Sequence, residues 1–393
     1  MLTPDERRFR EEVAALLRRP EVTAECATLA ADPGKDGYPV RTYRLLGEHG
    51  MLAPDWPRRY GGLDGPVTYQ AILQEELARH DVQDTVFINA VKNAGALLML
   101  AADADQKARY LPSLAAGTAT MVLLYSEREA GSDLASLRTR ADRVDGGWRL
   151  TGVKRPSVKT RSAAHGIVAA RTTRTGRAEA GITLFIVRMR DETVRVRLLE
   201  TFNPEPFYEV AFDGTFVADD DVLGPVDGGW FMLSAGLAIE RTGLDYNAKA
   251  RRWLDVAGER IRAVASGRAE FADRLVDLRT QAAAGRLLAW RLLQRQIEGD
   301  LSAEEAAMSK WFNAELGAKV ARLCLEVDGT YAVLERGEPD AARTGMVAAM
   351  LSEAPGLRLS AGTSEVMLHI VASGLGLGAA SGIASGLSMG AAS

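Results

Sequence analysis

Three short segments of the chain gather residues whose types and spacing could do chemistry. The first is Glu127-Arg128-Glu129-Ala130-Gly131-Ser132-Asp133. It follows a β-like run, MVLLYSE. A small-residue turn at a strand end exposes backbone N–H groups and a hydroxyl, which suits a pyrophosphate. The competing reading is a plain strand-to-strand turn. The second segment runs from Gly228-Gly229-Trp230 through Leu233, Gly236, Leu237, Glu240, Arg241 and Leu244. On one continuous helix Glu240 is three residues from Leu237, four from Leu244 and seven from Leu233, so it lies on the apolar stripe. Gly236, one turn earlier on that face, leaves space beside it. A carboxylate there is desolvated and its pKa is pushed up, which makes a proton acceptor in a dry pocket. The alternative is a buried ion pair with an arginine of another helix. The third segment is Ser360-Ala361-Gly362-Thr363-Ser364-Glu365. Gly-Thr-Ser before an apolar helical run reads as a loop into a helix N-terminus, with Thr363 or Ser364 as N-cap. Such an end receives an anion or donates N–H groups to an oxyanion. A mere cap is the simpler reading.

The elements that position these segments fall into an α+β arrangement. Residues 1–118 read as helices and short loops. Leu2 to Arg18 opens on Thr3-Pro4 and carries Phe9, Val13, Leu16 and Leu17 at helical spacing. Tyr69 to Ala78 and Asp105 to Leu114 are further helices, and APDWPRRYGGLDGP between the first two is a loop dense in Pro and Gly. Residues 119–223 read as an antiparallel β domain. An Asp-Gly turn joins LRTRADRV to WRLTGVK, a strong hairpin signal, and GIVAAR, GITLFIVRM, TVRVRLLE and YEVAFDGTFV follow. Residues 224–377 return to helical period in three long segments, Phe231–Ala265, Ala269–Glu298 and Ala303–Ala332. A fourth runs from Glu365 to Gly374, as in a four-helix bundle. Residues 378–393 are rich in Gly, Ala and Ser and read as a flexible tail.

Composition narrows the function classes. The 393 residues carry a net charge of −4, which offers no broad basic surface for nucleic acid. The two cysteines, Cys26 and Cys324, form no C-x-x-C, which argues against a disulfide framework or a zinc site and for a reducing compartment. The four histidines are scattered without metal-ligand spacing. The opening MLTPDERRFREEV is charged from residue 5, unlike a signal peptide, and no apolar run approaches the length of a membrane span. The expected location is the cytoplasm.

Taken in order, these pieces resemble the acyl-CoA dehydrogenases. The resemblance runs from about residue 5 to 377. It includes Asp55-Trp56-Pro57…Tyr60-Gly61-Gly62, Glu75-Glu76-Leu77-Ala78, Gln106-Lys107…Leu111-Pro112…Gly117, and Ser126-Glu127…Ala130-Gly131-Ser132-Asp133-Leu134. Thr151-Gly152-Val153-Lys154, Gly229-Trp230…Glu240-Arg241 and Gly362-Thr363-Ser364-Glu365 complete it. The resemblance implies an N-terminal helical domain, a middle β domain and a C-terminal four-helix bundle. It implies FAD held between β domain and bundle with help from a second subunit, and a homodimer or homotetramer. The implied substrate is an acyl thioester, on CoA or an acyl-carrier protein, with electrons passed on to an electron-transferring flavoprotein. Many members place the base just before Gly-Thr-Ser, where this chain has Ala361. A minority place it in a Glu-Arg pair on the first bundle helix, where this chain has Glu240-Arg241. The resemblance therefore assigns catalysis to Glu240 and, through its backbone N–H, to Ala361. It assigns substrate contact to Arg241, and cofactor contact to Leu124, Ser126, Ser132, Val158, Thr363 and Glu365.

Some family features are replaced. An aromatic and a hydroxyl residue usually face the flavin ring; the equivalents here are Pro156 and Val158. GERIRAVASGRAEFADRL stands where members carry Arg-x-x-Phe-Gly, and Leu325-Glu326-Val327-Asp328-Gly329 stands for Gln-x-x-Gly-Gly. The resemblance implies that the Arg-x-x-Phe-Gly segment reaches the partner subunit's FAD. Three functional expectations follow: an FAD-dependent acyl thioester dehydrogenase using Glu240; a degenerate chain of a heteromer completed by a homologous chain; and the same fold with monooxygenase, oxidase or non-redox chemistry.

Overall fold

The computed structural model describes residues 2–32, 36–174, 176–264 and 269–377. The expected flexible tail, 378–393, lies outside the described residues, as do the side chains of 238–240. Two compact units emerge, residues 1–201 with 205–239, and 202–204 with 240–393.

The first unit opens with helices α1 (Pro4–Leu17), α2 (Pro20–Ala31), α3 (Val40–Glu48), α4 (Val67–Arg79), α5 (Gly95–Ala101) and α6 (Ala104–Ala115). Local signals place several of them. Thr3 accepts from Glu6 N while Glu6 reaches back to Thr3 N, a capping box that starts α1 one residue before its Pro4. Asp103 and Gln106 repeat that device at α6. A π-helical turn, Phe87–Ala94, leads into α5.

The β domain holds β1 (Met121–Leu124), β2 (Arg140–Val144), β3 (Gly147–Val158), β4 (His165–Arg171), β5 (Ile182–Arg188), β6 (Val194–Leu199), β7 (Phe207–Ala218) and β8 (Val222–Leu223). Their order is β6-β7-β3-β2-β4-β5-β8, and β1 pairs with β4. The Asp-Gly hairpin joins β2 to β3 as expected, with Arg140 opposite Thr151 and Val144 opposite Gly147. The sheet is mixed rather than purely antiparallel, because β1 runs parallel to β4 and β2 meets β4 in parallel at Arg140 and Arg171. Alternation along one strand reports burial but not the direction of its neighbour. Trp148, Leu150, Val168, Phe185, Val187, Val210 and Phe212 fill the core of this domain. Helix α7 (Gly229–Glu240) closes the unit.

The second unit is built from α8 (Leu244–Val264), α9 (Ala269–Glu298), α10 (Ala303–Asp328), α11 (Met346–Leu359) and α12 (Ser364–Gly374). Trp253, Leu254, Ala257, Phe271, Leu278, Leu316, Val320, Leu323, Val347 and Met350 form its core. The single segment expected over Phe231–Ala265 is two helices. The break at Arg241-Thr242-Gly243 is fixed by close packing on α10: a Cβ on Gly243 (φ +76°) would stand 2.9 Å from the Ser309 carbonyl, and Ser309 Oγ donates to Thr242 O. α10 ends at Asp328, four residues earlier than expected, and α11 has no counterpart among the expected helices.

Candidate functional site

The turn after β1 is stapled shut from inside. Glu127 N donates to Ala130 O and Ala130 N to Glu127 O, which leaves Arg128 and Glu129 at an exposed tip. The Glu127 carboxylate accepts Arg138 N at 2.7 Å and Thr139 N at 2.8 Å, so it closes the segment end to end. Below it Lys154 of β3, fully buried, donates to Glu127 Oε1 at 2.8 Å and Tyr125 O at 2.9 Å. Burial pushes the Lys154 ammonium down to about 8 despite the attraction of Glu127. Arg155 N donates to Ser126 O, which ties the half-buried Ser126 to β3. Ser132 is exposed, and a Cβ on Gly131 beside it would meet nothing within 4 Å. Leu124 points into the sheet core, so any contact it offers a ligand is through its backbone. Val158 is half-buried at the end of β3, and Pro156 before it is exposed, with a cis Arg155-Pro156 bond.

In the second unit the loop between α11 and α12 carries Ala361 (φ +54°) and Gly362 (φ +98°). Thr363 is the N-cap of α12, accepting from Val366 N at 3.2 Å. Ser364 instead donates to Glu315 Oε1, which Arg358 Nε also reaches at 2.8 Å. Glu365 is exposed, and hydrogen bonds from its own N–H and from Thr363 hold its carboxyl below the ordinary range. Arg241, nearly buried, donates from Nε to Ala361 O at 3.1 Å. Lys310 of α10, wholly buried, donates to Leu357 O at 3.1 Å and Gly362 O at 2.8 Å.

Two premises of the helical-stripe reading of Glu240 change. Leu244 lies beyond the break, in α8, so it does not share a continuous helix with Glu240. The space at Gly236 is taken: a Cβ there would stand 3.1 Å from Leu97 Cδ2. Glu240 is the last residue of α7, and its side chain lies outside the described residues. The sequence reading passed over Lys310 and gave Lys154 no role. The sequence around Lys310 carries no clear signal, since Ser309 and Asn313 are buried beside it along with Ala306, Ala307 and Ala314.

Among the described residues no group of His, Cys, Asp and Glu could hold a metal ion, and no helix is long and apolar enough to cross a membrane. Three family models match in order: acyl-CoA dehydrogenase N-terminal domain over residues 3–118, middle domain over 122–215 and C-terminal domain over 227–376. The chain is 32% identical over 370 residues to acyl-CoA dehydrogenase FadE34 of Mycobacterium tuberculosis, covering 93% of this chain and 49% of that protein. It is 32% identical over 255 residues to the mitochondrial 2-methylacyl-CoA dehydrogenase of Solanum tuberosum, covering 61% of this chain and 59% of that one. It therefore spans about half of the first relative's length and under two thirds of the second's. Among solved structures, the ChsE4-ChsE5 complex of Mycobacterium tuberculosis matches with a TM-score of 0.84 and 26% identity, over 97% of this chain and 99% of that one.

Proposed function

Because the chain belongs to the acyl-CoA dehydrogenase family, we propose that it catalyses FAD-dependent α,β-dehydrogenation of an acyl thioester with Glu240 as the base. One observation carries this reading. Arg241, the neighbour of Glu240, donates to Ala361 O at 3.1 Å, so the two places where the family sets its base converge in this chain. Ala361 has no proton acceptor, which leaves the carboxylate to Glu240.

In the first unit the turn after β1 suits the FAD phosphates: Ser126 and Ser132 offer hydroxyls and the open space at Gly131 admits a close approach. In the second unit the Thr363 oxygen caps α12 and its hydroxyl proton goes to Glu365. At the ring end Pro156 and Val158 supply no side-chain donor, so backbone groups must serve there. FAD, when bound, supplies the two-electron acceptor for the β-hydrogen. Glu240 takes the α-proton onto its carboxylate as the α C–H bond breaks and its electron pair forms the C=C bond. N–H groups of the 361–363 loop receive the thioester oxygen as negative charge develops on it. Arg241, held on the loop carbonyl, fixes the chain next to Glu240 against the loop. CoA and acyl-carrier protein remain the two candidate carriers, and an electron-transferring flavoprotein is the proposed electron acceptor. We place the protein in the cytoplasm as a homodimer or homotetramer.

A second reading has its own support. Asp328, in the segment that replaces Gln-x-x-Gly-Gly, is turned inward onto Arg260 of the segment that replaces Arg-x-x-Phe-Gly. A chain that lacks the Arg-x-x-Phe-Gly contact with its partner's FAD suits a heteromer with a homologous chain. The absorbance spectrum of the purified protein decides between the two. Flavin bands at one FAD per chain are expected for the dehydrogenase, and a colourless chain that becomes coloured only on co-expression with a homologue would replace it by the heteromer.

A further inference from the structure

A buried lysine ammonium is costly unless each of its donors is satisfied. Lys310 directs two of its donors to one loop and its flank. Its Nζ reaches Leu357 O in the last turn of α11, where helix carbonyls concentrate negative charge, and Gly362 O beyond it. The same Nζ stands 5.3 Å from the centroid of the Tyr246 ring, and Tyr246 Oη is 3.0 Å from Ser360 Oγ. Arg241 takes the carbonyl just before Gly362, that of Ala361. The carbonyls of 361 and 362 thus both turn toward buried cations.

A trans peptide is planar, with its C=O and the next N–H pointing opposite ways. With the Ala361 and Gly362 carbonyls committed to Arg241 and Lys310, the N–H groups of Gly362 and Thr363 must face away from both cations. The backbone is strained to hold this shape: Ala361 sits at φ +54°, a left-handed region unfavourable for a residue with a Cβ. Gly362 at φ +98° suits only glycine.

We propose that Lys310 is a positioning residue for the reaction: by holding the Leu357 and Gly362 carbonyls, one on each side of Ala361, it fixes the loop whose N–H groups receive the thioester oxygen. This rests on the dehydrogenase reading above. Lys310 itself touches no substrate; it acts through the loop.

The test uses two ligands on the whole protein. A saturated acyl-CoA reports ground-state binding. A 3-ketoacyl-CoA, whose α-carbon ionises readily, reports stabilisation of an enolate by its ultraviolet absorbance at fixed pH. In Lys310→Met the ratio of bound enolate to bound keto form is expected to fall roughly tenfold or more, while the saturated ligand binds within about threefold of wild type. Hydrogen exchange at residues 360–363 is expected to rise, and Lys310→Arg to restore part of the enolate. An unchanged enolate ratio in Lys310→Met, or an equal loss of affinity for both ligands, overturns the proposal. Should that variant not fold, Lys310→Gln is judged by the same criterion. A wild-type protein that binds neither ligand sinks the dehydrogenase reading and this inference with it; wild-type enolate with an unshifted variant sinks this inference alone.

Discussion

Arg260 Nε donates to Asp328 Oδ1 at 2.7 Å, and the Asp328 carboxylate beneath it is wholly buried. The pair joins α8 to the end of α10 and so ties together the two segments in which this chain departs most from its family. The other carboxylate oxygen, Asp328 Oδ2, is buried without a hydrogen-bond partner, so the pair satisfies its acid only in part. Asp328→Leu is expected to lower stability by about 1–3 kcal/mol, less than a fully buried pair because Arg260 keeps some water. The Arg260→Met, Asp328→Leu double variant is expected to recover most of that loss. Denaturant unfolding of the four proteins in the cycle gives the coupling directly, and strictly additive losses would show that the pair contributes nothing to stability.

Glu240→Gln is expected to slow exchange of the substrate α-proton by roughly two to four orders of magnitude, the range for removing a general base. Because Arg241 links its neighbour to Ala361, Ala361→Glu in the same background is expected to return part of the exchange. Isotope exchange followed by mass spectrometry reads both. Full exchange in Glu240→Gln would remove that residue from the mechanism.

Asp55 sits in the loop between α3 and α4, where burial pushes its carboxyl up to about 6, against hydrogen bonds from its own N–H and from Gln70 Nε2. Its ordinary value is 3.8, so between the two the folded chain holds the proton more tightly than the unfolded chain does. The stability this lends is present in acid and is lost as pH rises through about 6. Asp55→Asn is therefore expected to be more stable than wild type at pH 7 by about 1–3 kcal/mol and no more stable near pH 4. Melting curves at the two pH values check it; an equal gain at both would assign the effect to packing rather than to charge.

What the sequence could disclose was local. Thr3 and Glu6, the Asp-Gly turn of β2–β3 and the Thr363 cap each act within a few residues, and helices α1, α4, α6 and α12 lie where those signals put them. Most of the misses are long-range. The break after Glu240 depends on Ser309 pressing against Gly243, and the space at Gly236 is filled by Leu97, more than a hundred residues away. Helix α11 carries Pro355 inside it, which masks the helical pattern. Lys154 and Lys310 look like surface residues by type, and only the tertiary structure shows carbonyls and a carboxylate gathered round each. Function was legible as a family because ordered motifs survive; the inner supports of those motifs were not.

Lys154 offers the sharpest check on the turn after β1. It holds Glu127, and Glu127 holds Arg138 N and Thr139 N, so the whole turn that presents Ser132 rests on one buried ammonium. Lys154→Met leaves the Glu127 carboxylate its two N–H donors but no counter-charge. Hydrogen exchange over 126–139 is expected to rise and FAD affinity to fall roughly tenfold, with the β-domain core unmoved. The pH dependence has a definite sign. The folded ammonium releases its proton near 8, against an ordinary 10.5, so in that window the unfolded chain binds more protons and wild-type stability gains as pH rises. Between pH 8 and 10 the stability of wild type relative to Lys154→Met is thus expected to grow by about 1–3 kcal/mol. A difference that stays flat across that range, read by denaturant unfolding, would mean that the ammonium is not held in a desolvated site, and a turn that exchanges no faster in the variant would mean that it is not the support of the turn.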